Sequence, residues 1–191
     1  MPRAKKIVVF ASGGGSNFEA LANAVKNGGI NGEIVLLVAS KPGIGAVEKA
    51  KRFNVPVFIE GGSGLAEELK KINPDLICLA GYLKMVPQEI LNICPAINIH
   101  PALLPAYGGK GMYGGNVHKA VLAAGEVKSG ATVHYVNAKY DEGGIIMQRE
   151  VPVLPNDTPV TLAARVLEQE HILYPAAVKL FCEDKLNGKQ N

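Results

Sequence analysis

Short, continuous apolar runs alternate with amphipathic segments through the first hundred residues of this chain, and that alternation restricts its possible folds more than any other feature. The runs at residues 7–11, 34–39, 55–59 and 76–80, with a short fifth at 97–99, have the length and β-branched content of strands. Helical patterns lie between them. Ser16 starts the first helix, residues 17–25 set Phe18, Leu21, Ala22 and Val25 on one face, and Gly28-Gly29 stops it. Residues 45–53 and 65–72 repeat the pattern. Strands that are apolar throughout are covered on both faces, as crossover helices cover a parallel sheet. The first hundred residues are therefore expected to be doubly wound.

Beyond His100 the pattern changes. A loop containing Pro101, Pro105, Gly108, Gly109, Gly111, Gly114 and Gly115 leads into a helix over about 117–124. Residues 131–136 and 145–153 read as an antiparallel strand pair around the Asp141-Glu142-Gly143-Gly144 turn. Residues 158–186 read as one long helix with apolar positions at Leu162, Val166, Ile172, Ala176 and Leu180. Pro175 lacks an amide hydrogen and crowds the preceding turn, so it is expected to kink or divide that helix. No repeat or linker interrupts the chain. The expectation is a single α/β domain over 1–191: a Rossmann-like, doubly wound, mostly parallel sheet with a C-terminal antiparallel strand pair and a long final helix.

Composition narrows the function. The 20 Lys and Arg against 17 Asp and Glu leave +3, too weak a field for bulk nucleic-acid binding, though a local anion pocket fits. No apolar stretch approaches the eighteen or more residues of a membrane span. Cys78, Cys94 and Cys182 are few, odd in number and far apart. That argues against a disulfide framework and a thiolate zinc site, and for a reducing compartment. Residues 1–6 lead into an apolar stretch shorter than a signal-peptide core, so the cytoplasm is expected.

Three constellations carry possible chemistry. In ASGGGSN (residues 11–17), small residues between a strand and a helix let backbone amides approach a phosphate at the helix N-terminus. It matches neither the dinucleotide nor the Walker pattern, and a plain βα turn has the same composition. In NIHPALLP (98–105), Asn98 and His100 lie two apart at the carboxyl end of a strand, so both side chains point to one side, where open α/β sheets place ligands. An amide that donates to a developing oxyanion beside an imidazole that moves protons suits acyl-group transfer. Pro101 biases His100 toward an extended backbone. The third is Asp141, in a glycine-containing turn after a strand that bears His134. Near His100 it would raise the imidazole pKa and hold water for a relay, whereas Asp before Gly is also ordinary turn chemistry. His118 and His171 are weaker candidates. No HExxH-like spacing occurs, so no catalytic metal is expected.

ASGGGSN, LAGYLKM (79–85), NIHPALLP, GATVH (130–134), DEGGIIMQ (141–148) and QEH (169–171) resemble, in order and approximate spacing, the phosphoribosylglycinamide formyltransferases, the folate-dependent formyl-transferring family of purine synthesis. The likeness spans nearly the whole chain. NIHPxLLP and DxGxIxxQ belong to the wider formyltetrahydrofolate-using group, while the glycine-rich opening and the QEH helix point to the glycinamide ribonucleotide branch.

The resemblance implies a formyltransferase fold, 10-formyltetrahydrofolate as co-substrate and glycinamide ribonucleotide as acceptor. It implies a catalytic trio: Asn98 on the formyl oxygen, His100 in proton transfer, and Asp141 tuning His100 and organising water. Gly15, Ser16 and Asn17 correspond to the segment that holds the phosphate, and Glu170 to the acid on the ribose and glycinamide part. Leu83, Lys84, Met85 and Val86, with Asn98 and the loop Asn137, Ala138, Lys139, Tyr140 and Asp141, correspond to the folate pocket. The chain departs from the family at Lys84, where an arginine is frequent, and in residues 60–66, which lack a basic residue that relatives place there. It departs again in the longer 108–115 loop and at Asn116, often a histidine.

The expected reaction is attack of the acceptor amine on the formyl carbon. Asn98 and protonated His100 would hold the oxyanion, and water near Asp141 would carry a proton to the leaving folate nitrogen. Methionyl-tRNA formyltransferase adds a C-terminal tRNA-binding domain, for which no residues follow Asn191. Formyltetrahydrofolate deformylase adds an N-terminal domain, whereas the first strand here starts at Ile7. A non-catalytic nucleotide or folate binding module would use the glycine turn but gains nothing from the Asn98 and His100 pair. The expected assembly is a monomer or homodimer without nucleic-acid or membrane partners.

Overall fold

The apolar character of the first strand explains the centre of the sheet. In β1 (Lys5–Ala11), Ile7, Val9 and Ala11 pack on one side and Val8 and Phe10 on the other, because successive strand residues face opposite ways. Two separate apolar cores result, one on each face. The computed structural model, which describes residues 3–61 and 64–186, places β1 between β2 (Gly32–Ala39) and β4 (Leu76–Leu79), parallel to both. The seven strands of the described residues run in the order β3-β2-β1-β4-β5-β6-β7. β3 (Val57–Ile59) and β5 (Ala96–His100) extend the parallel part, while β6 (Lys128–Tyr135) and β7 (Ile145–Pro152) are antiparallel. The order reverses between β1 and β4. Loops leaving their carboxyl ends diverge there and open a crevice.

α1 (Ser16–Lys26), α2 (Gly45–Arg52), α5 (Gly115–Ala123) and α6 (Pro159–Cys182) contribute to the larger core. α3 (Leu65–Ile72) and the four-residue α4 (Gln88–Leu91) cover the other face. The expected elements are all present, with ends displaced by one to a few residues. α4 was not expected, being too short to show a helical period. Gly62 and Ser63 of the 60–66 segment, and residues 1–2 of the N-terminal stretch, lie outside the described residues.

α6 corrects two expectations. It runs undivided through Pro175. Its buried stripe is Leu162, Val166, Glu170, Leu173, Tyr174, Ala177, Val178 and Cys182, whereas Ile172 is 51% exposed. The burial of Leu173, Tyr174, Ala177 and Val178 around the proline holds the helix in register despite the missing amide bond. Thr158 and Thr161 form a capping box, and Pro159 takes the first helical position, where no amide is needed. Among the described residues no helix is long and apolar enough to cross a membrane.

Tyr174 ties α6 to the working end of the sheet. Its buried hydroxyl donates to the carbonyls of Leu79, at 2.9 Å, and Ile97, at 3.1 Å, so one hydrogen is shared between the end of β4 and the second residue of β5. Tyr174→Phe should lower stability by about 1–2 kcal/mol, the usual consequence of leaving buried carbonyls short of a donor. Thermal melting compared with the parent protein checks it.

Candidate active site

β5 delivers Asn98 and His100 to the crevice, and antiparallel pairing with β6 sets His134 directly opposite Asn98. The hydrogen-bond logic at this point fixes the orientation of each group. His134 Nδ1 lies 2.8 Å from the Tyr135 carbonyl, which only accepts, so Nδ1 carries the hydrogen. In the neutral ring Nε2 is then an acceptor, and Asn98 Nδ2 donates to it at 3.1 Å. The Asn98 amide is thereby oriented with a second N–H left for a ligand.

His100 is 3% exposed. Its Nε2 donates to the Tyr107 carbonyl at 2.8 Å, leaving the Nδ1 lone pair 3.6 Å from Asp141 Oδ2. Burial pushes the His100 pKa down, outweighing the upward pull of Asp141 and of the Tyr107 carbonyl. The neutral imidazole is therefore the favoured form in the free protein, and protonation belongs to the step in which it takes up a proton. Burial opposes ionisation of Asp141 too, yet its carboxyl is held below its ordinary value, with the Gly109 amide donating to it. A lone pair facing a carboxylate forms a notch that accepts a proton.

Asp141 reaches both histidines because of its turn. It sits at a φ of 57°, in the left-handed region. Two residues on, a β-carbon at Gly143 would fall on the Tyr135 carbonyl, so only glycine lets the turn close on β6. The carboxylate lies 3.4 Å from His134 Nε2 and accepts from Gly109 N at 2.9 Å. The glycine-rich loop is thus tied beneath the carboxylate. All three trio members and His134 line one cavity of about 580 Å³.

The same cavity reaches Asn17 and Glu170. Asn17 Nδ2 donates to Glu170 Oε2 at 2.6 Å, and Asn17 Oδ1 is buried without a partner among the described residues. Burial raises the Glu170 pKa, with Asn17 opposing. The first bond of α1 runs from Glu19 N to Gly15 O, so the amides ahead of it are left outside the helical ladder. Gly15 and Ser16 flank the cavity without lining it. Gly15, at a φ of 73°, is packed so tightly on Ala46 that a β-carbon would lie 2.6 Å from its Cα.

Leu83, Lys84, Met85, Val86, Asn137, Lys139 and Tyr140 form the apolar end of the cavity; Ala138 does not line it. Leu83, Met85 and Tyr140 are at least partly exposed there, as is Tyr113 from the glycine-rich loop. Lys84 donates to Glu60 at 2.8 Å, and the Tyr82 hydroxyl donates to the other oxygen of the same carboxylate, also at 2.8 Å. The 60–66 segment therefore meets the site through an acid. His134 is a cavity residue that sequence reasoning missed, and Glu60 stands behind the cavity wall as the partner of Lys84 and Tyr82. His134 was legible only through strand pairing, which puts it opposite Asn98. Among the described residues no three His, Cys, Asp or Glu side chains cluster as metal ligands, and all three cysteines are buried free thiols.

The chain is similar in sequence and fold to several known proteins. The family described as Formyl transferase matches residues 5–178. The chain is 45% identical to a relative from Arabidopsis thaliana named phosphoribosylglycinamide formyltransferase, chloroplastic, covering 100% of this chain and 70% of that one. It is 34% identical to the phosphoribosylglycinamide formyltransferase of Haemophilus influenzae, covering 98% and 92%. Against the Vigna unguiculata chloroplastic relative, this chain spans 63% of the length. Among solved structures, glycinamide ribonucleotide transformylase 1 from Symbiobacterium toebii superposes with a TM-score of 0.91 at 34% identity, covering 99% and 92% of the two chains. That from Geobacillus kaustophilus gives 0.85 at 36% identity, covering 94% and 100%.

Proposed function

Because this chain belongs to the formyl transferase family, we propose that it transfers a formyl group from 10-formyltetrahydrofolate to the amine of glycinamide ribonucleotide, giving formylglycinamide ribonucleotide and tetrahydrofolate. One observation carries the reading. A single cavity joins a ribonucleotide end at Asn17 and Glu170, a proton-moving centre at Asn98, His100 and Asp141, and an apolar end at Leu83, Lys84, Met85 and Val86. Its volume falls in the range of small-ligand sites. The apolar end, rimmed by lysines, suits a flat heterocycle that carries carboxylates. Formyl transfer between two bound substrates needs no metal in this reading.

Asn98, His100 and Asp141 act as the catalytic trio, Gly15, Ser16, Asn17 and Glu170 hold the ribonucleotide, and residues 83–86 with 137–141 hold the folate. Binding both substrates in one cavity replaces a bimolecular encounter with a local one. The acceptor amine attacks the formyl carbon, and a new carbon–nitrogen bond forms. Asn98, oriented by His134, donates to the oxygen as it gains charge. Neutral His100 takes the amine proton at Nδ1, and the resulting imidazolium is stabilised by Asp141. As the bond to the folate nitrogen breaks, that proton passes to the leaving nitrogen through water beside Asp141.

The direct test is incubation with both substrates, with 10-formyltetrahydrofolate alone, and with the acceptor alone. Absorbance change only with both supports transfer; change without acceptor marks a hydrolase, and none marks a binding protein. The pH profile has a definite sign. Neutral His100 is the working form, so kcat/KM for the formyl donor, measured with the acceptor saturating, should fall as pH drops through a value below 6.5. A His100→Asn variant that keeps the same acid limb would contradict the neutral-base assignment.

The proposed unit is one formyltransferase domain over 1–191, a monomer or homodimer that needs no nucleic acid or membrane, since one chain supplies all the named cavity walls. The proposed compartment is the cytoplasm, where the buried thiols stay free; the Arabidopsis relative, by contrast, is named chloroplastic.

A further inference from the structure

Three imidazoles line the cavity, and only two of them are accounted for. His100 and His134 each hold a backbone carbonyl with one nitrogen and face Asp141 with the other. His118, in the first turns of α5, is 4% exposed, yet neither of its nitrogens has a hydrogen-bond partner among the described residues. Interior polar groups are ordinarily paired, so a bare imidazole in a cavity wall points to a partner that arrives with the ligand.

Its two nitrogens differ. Nδ1 is enclosed by protein with no acceptor in reach, and a ring hydrogen there would have nothing to bond, so the hydrogen belongs on Nε2. Burial and the nearby His100 both keep the ring neutral. The wall it belongs to is also informative. α5 packs against α6, and Ala163, Leu167 and Glu170, spaced four and three apart along one face of α6, line the cavity with it. That wall connects the ribonucleotide end at Glu170 to the reacting end at His100. In glycinamide ribonucleotide, the group between the ribose nitrogen and the reacting amine is the amide carbonyl.

We infer that His118 is a substrate-contacting residue that donates its Nε2 hydrogen to the glycinamide carbonyl oxygen of the acceptor, an inference that rests on the proposed function. It sets the direction in which the amine faces the formyl carbon. It also disfavours acceptors that carry no carbonyl at that position, whose binding would leave His118 unpaired.

The test separates donor chemistry from packing. His118→Leu removes the donor, His118→Asn moves it to a shorter reach, and His118→Gln returns an N–H close to the position of Nε2. For the leucine and asparagine variants we expect the acceptor KM to rise about tenfold, the size of one lost hydrogen bond to a group left unpaired. The formyl-donor KM should stay unchanged, and glutamine should restore most of the loss. Should the leucine variant fail to fold, the asparagine and glutamine pair carries the same comparison. An unchanged acceptor KM, an equal rise for both substrates, or a glutamine variant no better than asparagine would overturn the assignment of His118 alone. A parent protein that turns over no glycinamide ribonucleotide would overturn the proposed function, and this inference with it.

Discussion

Asp141→Asn should lower kcat by about a thousandfold while leaving both KM values within a factor of about three, a loss in the range set by positioned proton transfer. The carboxylate sits 3.6 Å from His100 Nδ1 and 3.4 Å from His134 Nε2, with the Gly109 amide on it at 2.9 Å. Asparagine keeps one oxygen for the Gly109 amide, so the loop stays tied and the cavity keeps its shape. What disappears is the charge that steadies the His100 imidazolium at the moment it holds the amine proton. The new amide nitrogen would also face His134 Nε2 and compete with Asn98 for its lone pair. Both effects act on the reacting centre, and the substitution leaves the backbone of the 137–141 loop and the Gly109 tie in place, so turnover falls far more than binding. Steady-state kinetics with each substrate varied separately measure the split. Near-parental turnover would remove Asp141 from the mechanism.

The parts of this site that were legible in the sequence are those set by local periodicity. The unbroken apolar runs announced a parallel sheet covered on both faces, and the two-residue spacing of Asn98 and His100 is enough to put them on one side of β5. The approach of Asp141 was not legible in that way. It depends on the register that pairs Asn98 with His134 across β5 and β6, and on a left-handed residue in the β6–β7 turn. His134 was hidden for the same reason, since a histidine in a strand says nothing until its cross-strand neighbour is known. The protonation of His100 turned on burial, which the Tyr107 loop supplies from seven residues downstream. α6 shows the opposite limit. Pro175 is a strong local signal for a break, and tertiary packing of its neighbours overrode it.

Asn98→Ala should lower kcat by about a hundred- to a thousandfold, the range found when one donor to a developing oxyanion is removed. The structure sharpens that expectation, because the amide is aimed by a second group. Asn98 Nδ2 gives one hydrogen to His134 Nε2, whose own hydrogen is committed to the Tyr135 carbonyl, so the amide cannot flip without facing its oxygen to a lone pair. Alanine removes the donor and leaves His134 Nε2 facing Asp141 Oδ1 at 3.4 Å. That nitrogen then lacks the donor it had, a second consequence beside the loss of the N–H that faces the formyl oxygen. Asn98→Asp separates the two consequences. It has nearly the same shape, but it puts acceptors where the donor stood and a second negative charge beside Asp141, so its turnover should fall below that of the alanine variant. If shape alone mattered, aspartate would be the milder change. Single-turnover rates for the two variants under saturating substrates decide the order, and an aspartate variant faster than alanine would mean that Asn98 does not meet the charge developing on the formyl oxygen.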